Sequence, residues 1–520
     1  MPINLVFVHG WSVTNLNTYG QLPVTLRTAL AANTGEAANI HEIWLGRYIS
    51  FHDEVKLADI SRAFQAAVDD QLAPLIAQGE RFACITHSTG GPVIRDWWFR
   101  YWKDNAKPCP MSHCIMLAPA NFGSALARLG KGTLSRLKSW MDGVQPGQGV
   151  LDWLELGSQE AWDLNTDWIV NAKSPAGANG FYPFVIIGQS IDRKLYDNLN
   201  SYTGEIGSDG VVRSAAANLN ASKVIITQQG MQQGTQQGAQ QRTQQGAQQG
   251  TQQDTQQGTQ QSSEPTIEYH TAPATPFLIV KGKSHSGNDK GIMSSDAGQE
   301  LITAILACLQ VTTDANYEQV ITTFAEQTNA NQQTERLEQV TDRLITLNKR
   351  YFIHDRYCMV IFRVSDTEGN PITDYDLLFT AGDNSPNHLP EGFFSDRQQN
   401  SRHKETVTYF VNYDILKGAA PVINGEKQVR DAAPGITRLG LQVNPRPDEG
   451  FVRYSPLEIV AQPEFFEKMV KPNGTILVDI RLQRLVSKQV FRLEGPLGTA
   501  MPDNRTGDFA DVKEGDAFIG

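Results

Sequence analysis

The stretch Phe82-Ala-Cys-Ile-Thr86-His87-Ser88-Thr89-Gly90-Gly91-Pro92 runs from an apolar strand into a serine, two glycines and a helical pattern. In a nucleophile elbow the serine sits on a tight strand-to-helix turn, its Oγ exposed at the strand end, with small neighbours that avoid clashes. The helix N-terminus beyond it favours developing negative charge. The usual spacing is G-x-S-x-G; Thr86 replaces the first glycine, while Gly90 and Gly91 are kept. Alone, the string also fits an ordinary strand-to-helix turn.

Its surroundings decide between the two. Short apolar runs at 3–8, 40–45, 82–86, 113–118, 184–188, 224–227 and 276–280 alternate with helical patterns at 19–32, 57–77, 92–102 and 296–309. This alternation predicts an α/β fold, a mostly parallel sheet with helices on both faces, over residues 1–310. In the α/β-hydrolase fold the acid and base follow the serine in the order Ser, Asp, His. Asp209, in Gly207-Ser-Asp-Gly-Val-Val212, sits in a turn whose amides can keep a carboxylate ionised; Asp192 and Asp197 are its rivals. His285 follows the last apolar strand in a short polar loop and is the candidate base. His270 precedes that strand, at the wrong end of the sheet for a base, and is the runner-up. The first strand ends in Val8-His9-Gly10-Trp11, where this fold places an oxyanion donor. The amides of Trp11 and Thr89 are the predicted pair, each such donor being worth about 2.7–4 kcal/mol. His9 itself reads as a structural, hydrogen-bonded histidine, and His87 as a neighbour that supports the site.

Composition excludes several classes. The chain has 520 residues, 40% hydrophobic and 19% charged, a globular composition long enough for two or three domains. Its net charge of −11, from 45 basic and 56 acidic residues, has the wrong sign for a broad nucleic-acid footprint. Cys84, Cys109, Cys114, Cys308 and Cys358 are scattered, as buried thiols are, without disulfide or metal spacing. No phosphate-cradling loop is present, so neither a metal nor an organic cofactor is expected. No basic leader precedes the first strand and no apolar run reaches about 18 residues, so membrane contact is expected to be peripheral.

A Thr-Gln-Gln-Gly repeat fills 227–263, too poor in apolar side chains to offset the entropy of ordering. Residues 311–350 read as a polar connector, helical around 335–347. From 351 to 490, short β runs separated by turns predict a smaller β-rich, antiparallel sandwich-like domain, with a tail at 491–520. On this division residues 1–310 hold a complete sheet and should fold without the remainder. Phe393-Phe394, Phe451, Phe465-Phe466, Phe491 and Phe518 are candidates for a bilayer or subunit contact, or for the sandwich core. An insertion at 119–180 combines a basic amphipathic stretch with Trp140, Trp153, Trp162 and Trp168. It reads as a lid suited to a lipid–water interface, with core packing as the alternative for single residues.

The strings Val6-Phe-Val-His-Gly-Trp-Ser-Val-Thr14, Asn17-Thr-Tyr-Gly20, Leu45-Gly-Arg-Tyr-Ile-Ser-Phe51 and Thr86-His-Ser-Thr-Gly-Gly91 resemble the bacterial PlaB-type phospholipases A. The Thr-His-Ser-Thr-Gly elbow accounts for the missing first glycine. The resemblance implies phospholipase A and lysophospholipase A activity without metal, in a membrane-associated, self-assembling enzyme, and allows an outer-membrane location. Carried over, the triad falls on Ser88, Asp209 and His285. The expected partners are a phospholipid surface and further copies of the chain. A neutral-lipid esterase, or an idle membrane-binding protein on the same scaffold, are the alternatives.

Overall fold

Among the described residues, eight strands precede residue 310: β1 (Ile3–His9), β2 (Ala38–Trp44), β3 (Phe82–His87), β4 (Met111–Leu117), β5 (Tyr182–Gly188), β6 (Ser222–Thr227), β7 (Thr266–Thr271) and β8 (Phe277–Val280). Six of them form one parallel sheet in the order β2-β1-β3-β4-β5-β8. β5 and β8 are buried at every residue, as strands covered on both faces must be. Helices Leu57–Gln71 and Gly90–Tyr101 pack together, and helix Leu22–Thr34 packs with Gln299–Leu309. The computed structural model describes residues 3–9, 19–35, 37–50, 52–130, 147–171, 177, 180–190, 207–229, 264–286, 290–293, 298–341, 349–425, 427–450 and 452–486. Most of the glutamine-rich repeat, the tail at 491–520, Trp11, Trp140, Asp192, Asp197, Phe451, Phe491 and Phe518 lie outside them.

The strand at 224–227 does not join the sheet expected for it. β6 lies parallel to a strand near the end of the chain and carries β7 as its antiparallel neighbour. The later strands are β9 (Leu337–Thr341), β10 (Lys349–Ile353), β11 (Tyr357–Asp366), β12 (Tyr375–Ala381), β13 (Phe394–Gln399), β14 (Thr406–Asn412), β15 (Val422–Asn424), β16 (Lys427–Arg430), β17 (Leu439–Pro445), β18 (Val452–Tyr454), β19 (Leu457–Gln462), β20 (Thr475–Leu482) and β21 (Arg484–Val486). A second six-stranded sheet runs β13-β14-β11-β20-β6-β7 and faces a three-stranded sheet, β12-β17-β19. The sandwich is therefore mixed: β11–β20 and β20–β6 are parallel pairs, contrary to the antiparallel reading. A local apolar run specifies a strand but not its partner, so the sequence at 224–227 does not distinguish the two sheets.

This second sheet is a wall shared by two cores. Cys358, Val360, Phe362 and Val364 of β11 face the sandwich, while Tyr357, Met359 and Ile361 face the hydrolase core. β14 divides in the same way, with Val407, Tyr409 and Val411 against Phe410, and Leu477 is the apolar residue that β20 contributes to the hydrolase core. Phe465 and Phe466 are core residues, Phe393 is partly buried against the sandwich core, and Phe394 is exposed.

The connector differs from expectation too. Its helix is Asp314–Thr334, capped by the Thr313 side chain, and Glu335 is its C-cap rather than the centre of a helix. β9 and β10 follow as a ribbon. The helix packs along β8, an edge strand of the parallel sheet, using polar groups. Thr328 Oγ1 accepts from Ile279 N at 3.0 Å and donates to Phe277 O, and Asn331 Nδ2 donates to Ile279 O. An edge strand needs such cover for its backbone. Its buried face combines Tyr317 and Phe324 with the polar Thr328 and Gln332, which weakens the hydrophobic periodicity left to read.

The repeat leaves and re-enters the fold at adjacent points, because Thr227 and Thr266 are register partners. Replacing 230–263 by a short Gly-Ser turn should leave the thermal midpoint and the rate on a soluble ester close to wild type. Halving a flexible loop changes closure entropy by only about 0.6 kcal/mol. A fall in the melting midpoint would show that the segment packs on the fold.

The shared wall predicts the reverse for truncation. A chain ending at residue 311 leaves β6 and β7 without β20 and strips Tyr357, Met359, Ile361, Phe410 and Leu477 from the hydrolase core. Each such side chain contributes about 1.5–3 kcal/mol of burial, against a total stability of about 5–15 kcal/mol. The fragment should lack a cooperative thermal transition by circular dichroism; a sharp, native-like melt would contradict this.

Candidate active site

Ser88 follows β3 directly and adopts φ 53°, a left-handed conformation that costs a non-glycine residue about 1–2 kcal/mol. Neighbouring backbone holds it there. Ser88 N donates to Leu117 O at 3.0 Å, and Ser88 O accepts from Ala120 N at 3.1 Å and Gly91 N at 3.3 Å. A Cβ on Gly91 would lie 2.6 Å from the Pro119 Cβ, and one on Gly90 would lie 3.0 Å from the Thr86 Cβ. The second contact explains the departure from G-x-S-x-G: the space that Gly90 leaves empty accommodates Thr86.

His285 lies in the loop after β8, with Nε2 3.0 Å from Ser88 Oγ and Nδ1 2.9 Å from Asp209 Oδ2. The carboxylate only accepts, so Nδ1 carries the proton and Nε2 is free to accept from the serine hydroxyl. His285 and Asp209 are fully buried. Asp209 Oδ1 accepts from Val211 N at 3.0 Å and Val212 N at 2.8 Å, so turn amides and the imidazole share the carboxylate. The two loops are also tied backbone to backbone, His285 N donating to Asp209 O at 2.9 Å. The base loop lies so close to the end of β5 that a Cβ on Gly188 would meet the Lys283 carbonyl oxygen at 1.8 Å.

His87 has a role that the sequence shows only as proximity to the serine. Its Nε2 donates to the His285 carbonyl at 3.1 Å, and the two rings lie 4.6 Å apart. Burial, reinforced by the neighbouring imidazole of His285, pushes the His87 pKa well below the usual histidine range. It is therefore a neutral strut under the loop that presents His285. The start of the insertion, Asn121 to Ser124, holds the acid loop from another side. Ser124 Oγ donates to Val211 O at 2.7 Å, Asn121 Nδ2 to Ala217 O and Phe122 N to Ala216 O.

Other expectations resolve differently. Thr89 is the N-cap of the elbow helix beside Ser88, while Trp11 lies outside the described residues. His270 is on β7, in the second sheet, and takes no part in the serine's hydrogen bonding. His9 has no hydrogen-bond partner among the described residues; it stacks on Trp44 at 3.6 Å and meets Tyr19 edge-on. Trp153, Trp162 and Trp168 are buried, so these three pack inside rather than facing a lipid surface. Trp162 lies under Arg363 and Lys223, two cations of the second sheet.

The parallel sheet, the elbow and the order of serine, acid and base define an α/β-hydrolase fold joined to a smaller β-rich domain. Among solved structures, phospholipase PlaB from Legionella pneumophila is 40% identical, covers 96% of this chain and 97% of that one, and superposes with a TM-score of 0.79. The same enzyme in complex with thio-NAD is 39% identical over 96% and 97%, with a TM-score of 0.77. No family profile and no curated protein matches the chain. The chain belongs to the PlaB phospholipase family.

Buried neutral histidines set an acid limit. Burial pushes His9 down to about 4, and His113 likewise to about 4 despite its bond to the Val311 carbonyl. An unfolded histidine binds its proton below about 6.5. Between pH 6.5 and 4 the unfolded chain therefore holds protons that the native one does not, so stability falls as pH falls through that window. His9 alone contributes on the order of 3 kcal/mol to that loss. Thermal midpoints measured from pH 7 to pH 4.5 should drop, and His9→Phe, which keeps the ring on Trp44, should flatten the slope. An unchanged slope would mean that His9 titrates normally.

Proposed function

We propose that the chain is a phospholipase A and lysophospholipase A that works through Ser88, His285 and Asp209. The observation that carries this reading is the continuous hydrogen-bonded line from Ser88 Oγ to His285 to a wholly buried Asp209, at 3.0 and 2.9 Å. His285 takes the Ser88 proton as Oγ attacks the acyl carbonyl. Asp209 holds the imidazole in its tautomer and stabilises the imidazolium that forms. The Thr89 amide, at the N-terminal end of the elbow helix, and the Trp11 amide are the oxyanion donors of this reading. His285 then protonates the leaving lysophospholipid or glycerol oxygen, and water releases the fatty acid from the acyl-serine. No step calls for a metal.

The substrate sits in a bilayer, so the enzyme meets a phospholipid surface. No helix among the described residues is long and apolar enough to cross a membrane, which favours a peripheral contact. Assembly into homo-oligomers and an outer-membrane location belong to the same proposal, by likeness to the family. The exposed Phe394 is the described aromatic most open to a bilayer.

Product analysis by thin-layer chromatography should show fatty acid and lysophospholipid from phosphatidylglycerol with wild type. Ser88→Ala, Asp209→Asn and His285→Asn should each lose at least about 10³-fold in kcat while staying folded, because triad members act as a unit. Cleavage of triglyceride with phospholipid untouched would select a neutral-lipid esterase. Failure of a fluorophosphonate probe to label wild type would select an idle scaffold.

A further inference from the structure

The loop that carries Asp209 stands on the second domain. Gly207 and Arg213 close it: Ser214 N donates to Gly207 O at 2.9 Å, and Ser208 bridges to Arg213. Beneath lie Tyr357 of β11 and Phe410 of β14, stacked at 4.7 Å and 11°. Gly207 adopts φ 85°, and a Cβ there would come 2.6 Å from the Tyr357 ring, so the backbone rests directly on it. Arg213 lies over Phe410, its guanidinium carbon 4.2 Å from the ring centroid, and pairs with Asp396 Oδ2 of β13. Its side chain is 2% exposed, that of Asp396 33%. A register shift between Phe394 and Asp396 locates a bulge beside the acid, the feature that re-aims a strand side chain. The same hairpin grips the insertion at its tip, where Ser401 N and Oγ donate to Glu155 and Arg402 pairs with Asp152.

The structure assigns Arg213 and Asp396 as positioning residues for Asp209, acting from the smaller domain on the acid of the proposed triad. The assignment rests on that triad reading. Val212 N, one of the two amides that hold the Asp209 carboxylate, belongs to the residue just before Arg213. Moving Arg213 therefore moves the amide that sets the carboxylate, and with it the partner of His285 Nδ1. The β-rich domain is then part of the catalytic scaffold as well as a candidate for membrane contact.

The test uses the full-length protein and a soluble short-chain nitrophenyl ester, which needs no membrane. Asp396→Asn is isosteric and partly exposed. It should lower kcat about 10- to 100-fold with KM nearly unchanged, since small misplacements of catalytic groups cost this much. The acid limb of kcat/KM should move to lower pH, because the imidazolium loses part of its carboxylate partner. Asp396→Glu should restore a large part of both. If Asp396→Asn does not fold, Phe410→Leu, which keeps the ion pair and removes the ring under Arg213, carries the same expectation. An unchanged kcat, or a fall in kcat with the acid limb unmoved, overturns the proposal. Asp209→Asn is run in parallel: wild-type activity in that variant removes the triad reading itself, and this proposal with it.

Discussion

A wholly buried carboxylate must be paired and hydrogen-bonded, or it gives up its charge. Asp209 meets that condition with two turn amides on one oxygen and His285 on the other. Much of the architecture near the site follows from it. The turn must stay closed, so Ser214 is bonded to Gly207 and Arg213 bridges to Ser208 across its base, and Ser124 holds its Val211 carbonyl. The histidine loop must stay in reach, so His285 is tied to Asp209 through backbone and to His87 through its own carbonyl. The strain at Ser88 is the smaller demand, because neighbouring backbone bonds fix it within the elbow itself.

What the sequence made legible was what is local. The elbow announces itself because a strand-to-helix turn on a serine needs small residues at fixed offsets, and Gly90 and Gly91 supply them. Asp209 and His285 followed from chain order and from polar loops after apolar strands; the structure brings both to Ser88. Partnership between distant segments left no such trace. β6 reads as a strand, but its parallel partner β20 lies about 250 residues away in sequence. The helix Asp314–Thr334 reads as a polar connector because its buried face pairs Tyr317 and Phe324 with Thr328 and Gln332, and Thr328 and Asn331 bind β8 by hydrogen bonds. Tryptophans and basic residues together suggest a membrane face, yet Trp162 is where the buried Lys223 and the half-buried Arg363 of the second sheet are received.

That last arrangement recurs along the seam between the two domains. Arg213 lies on Phe410 and pairs with Asp396, while Lys223 lies on Trp162 and pairs with Asp479 at 3.7 Å. Apolar packing across the shared wall supplies most of the attraction, but it is non-directional and tolerates small slides. A buried cation does not: displaced from its acceptor it keeps the full penalty of desolvation. Each aromatic face adds a preferred position for the charge above it. The apolar residues of β11, β14 and β20 thus hold the domains together, and the paired cations fix where they stop. For the proposed triad, whose Asp209 loop rests on one domain and whose Ser88 belongs to the other, that registration bears on the hydrogen-bond line from Asp209 to Ser88.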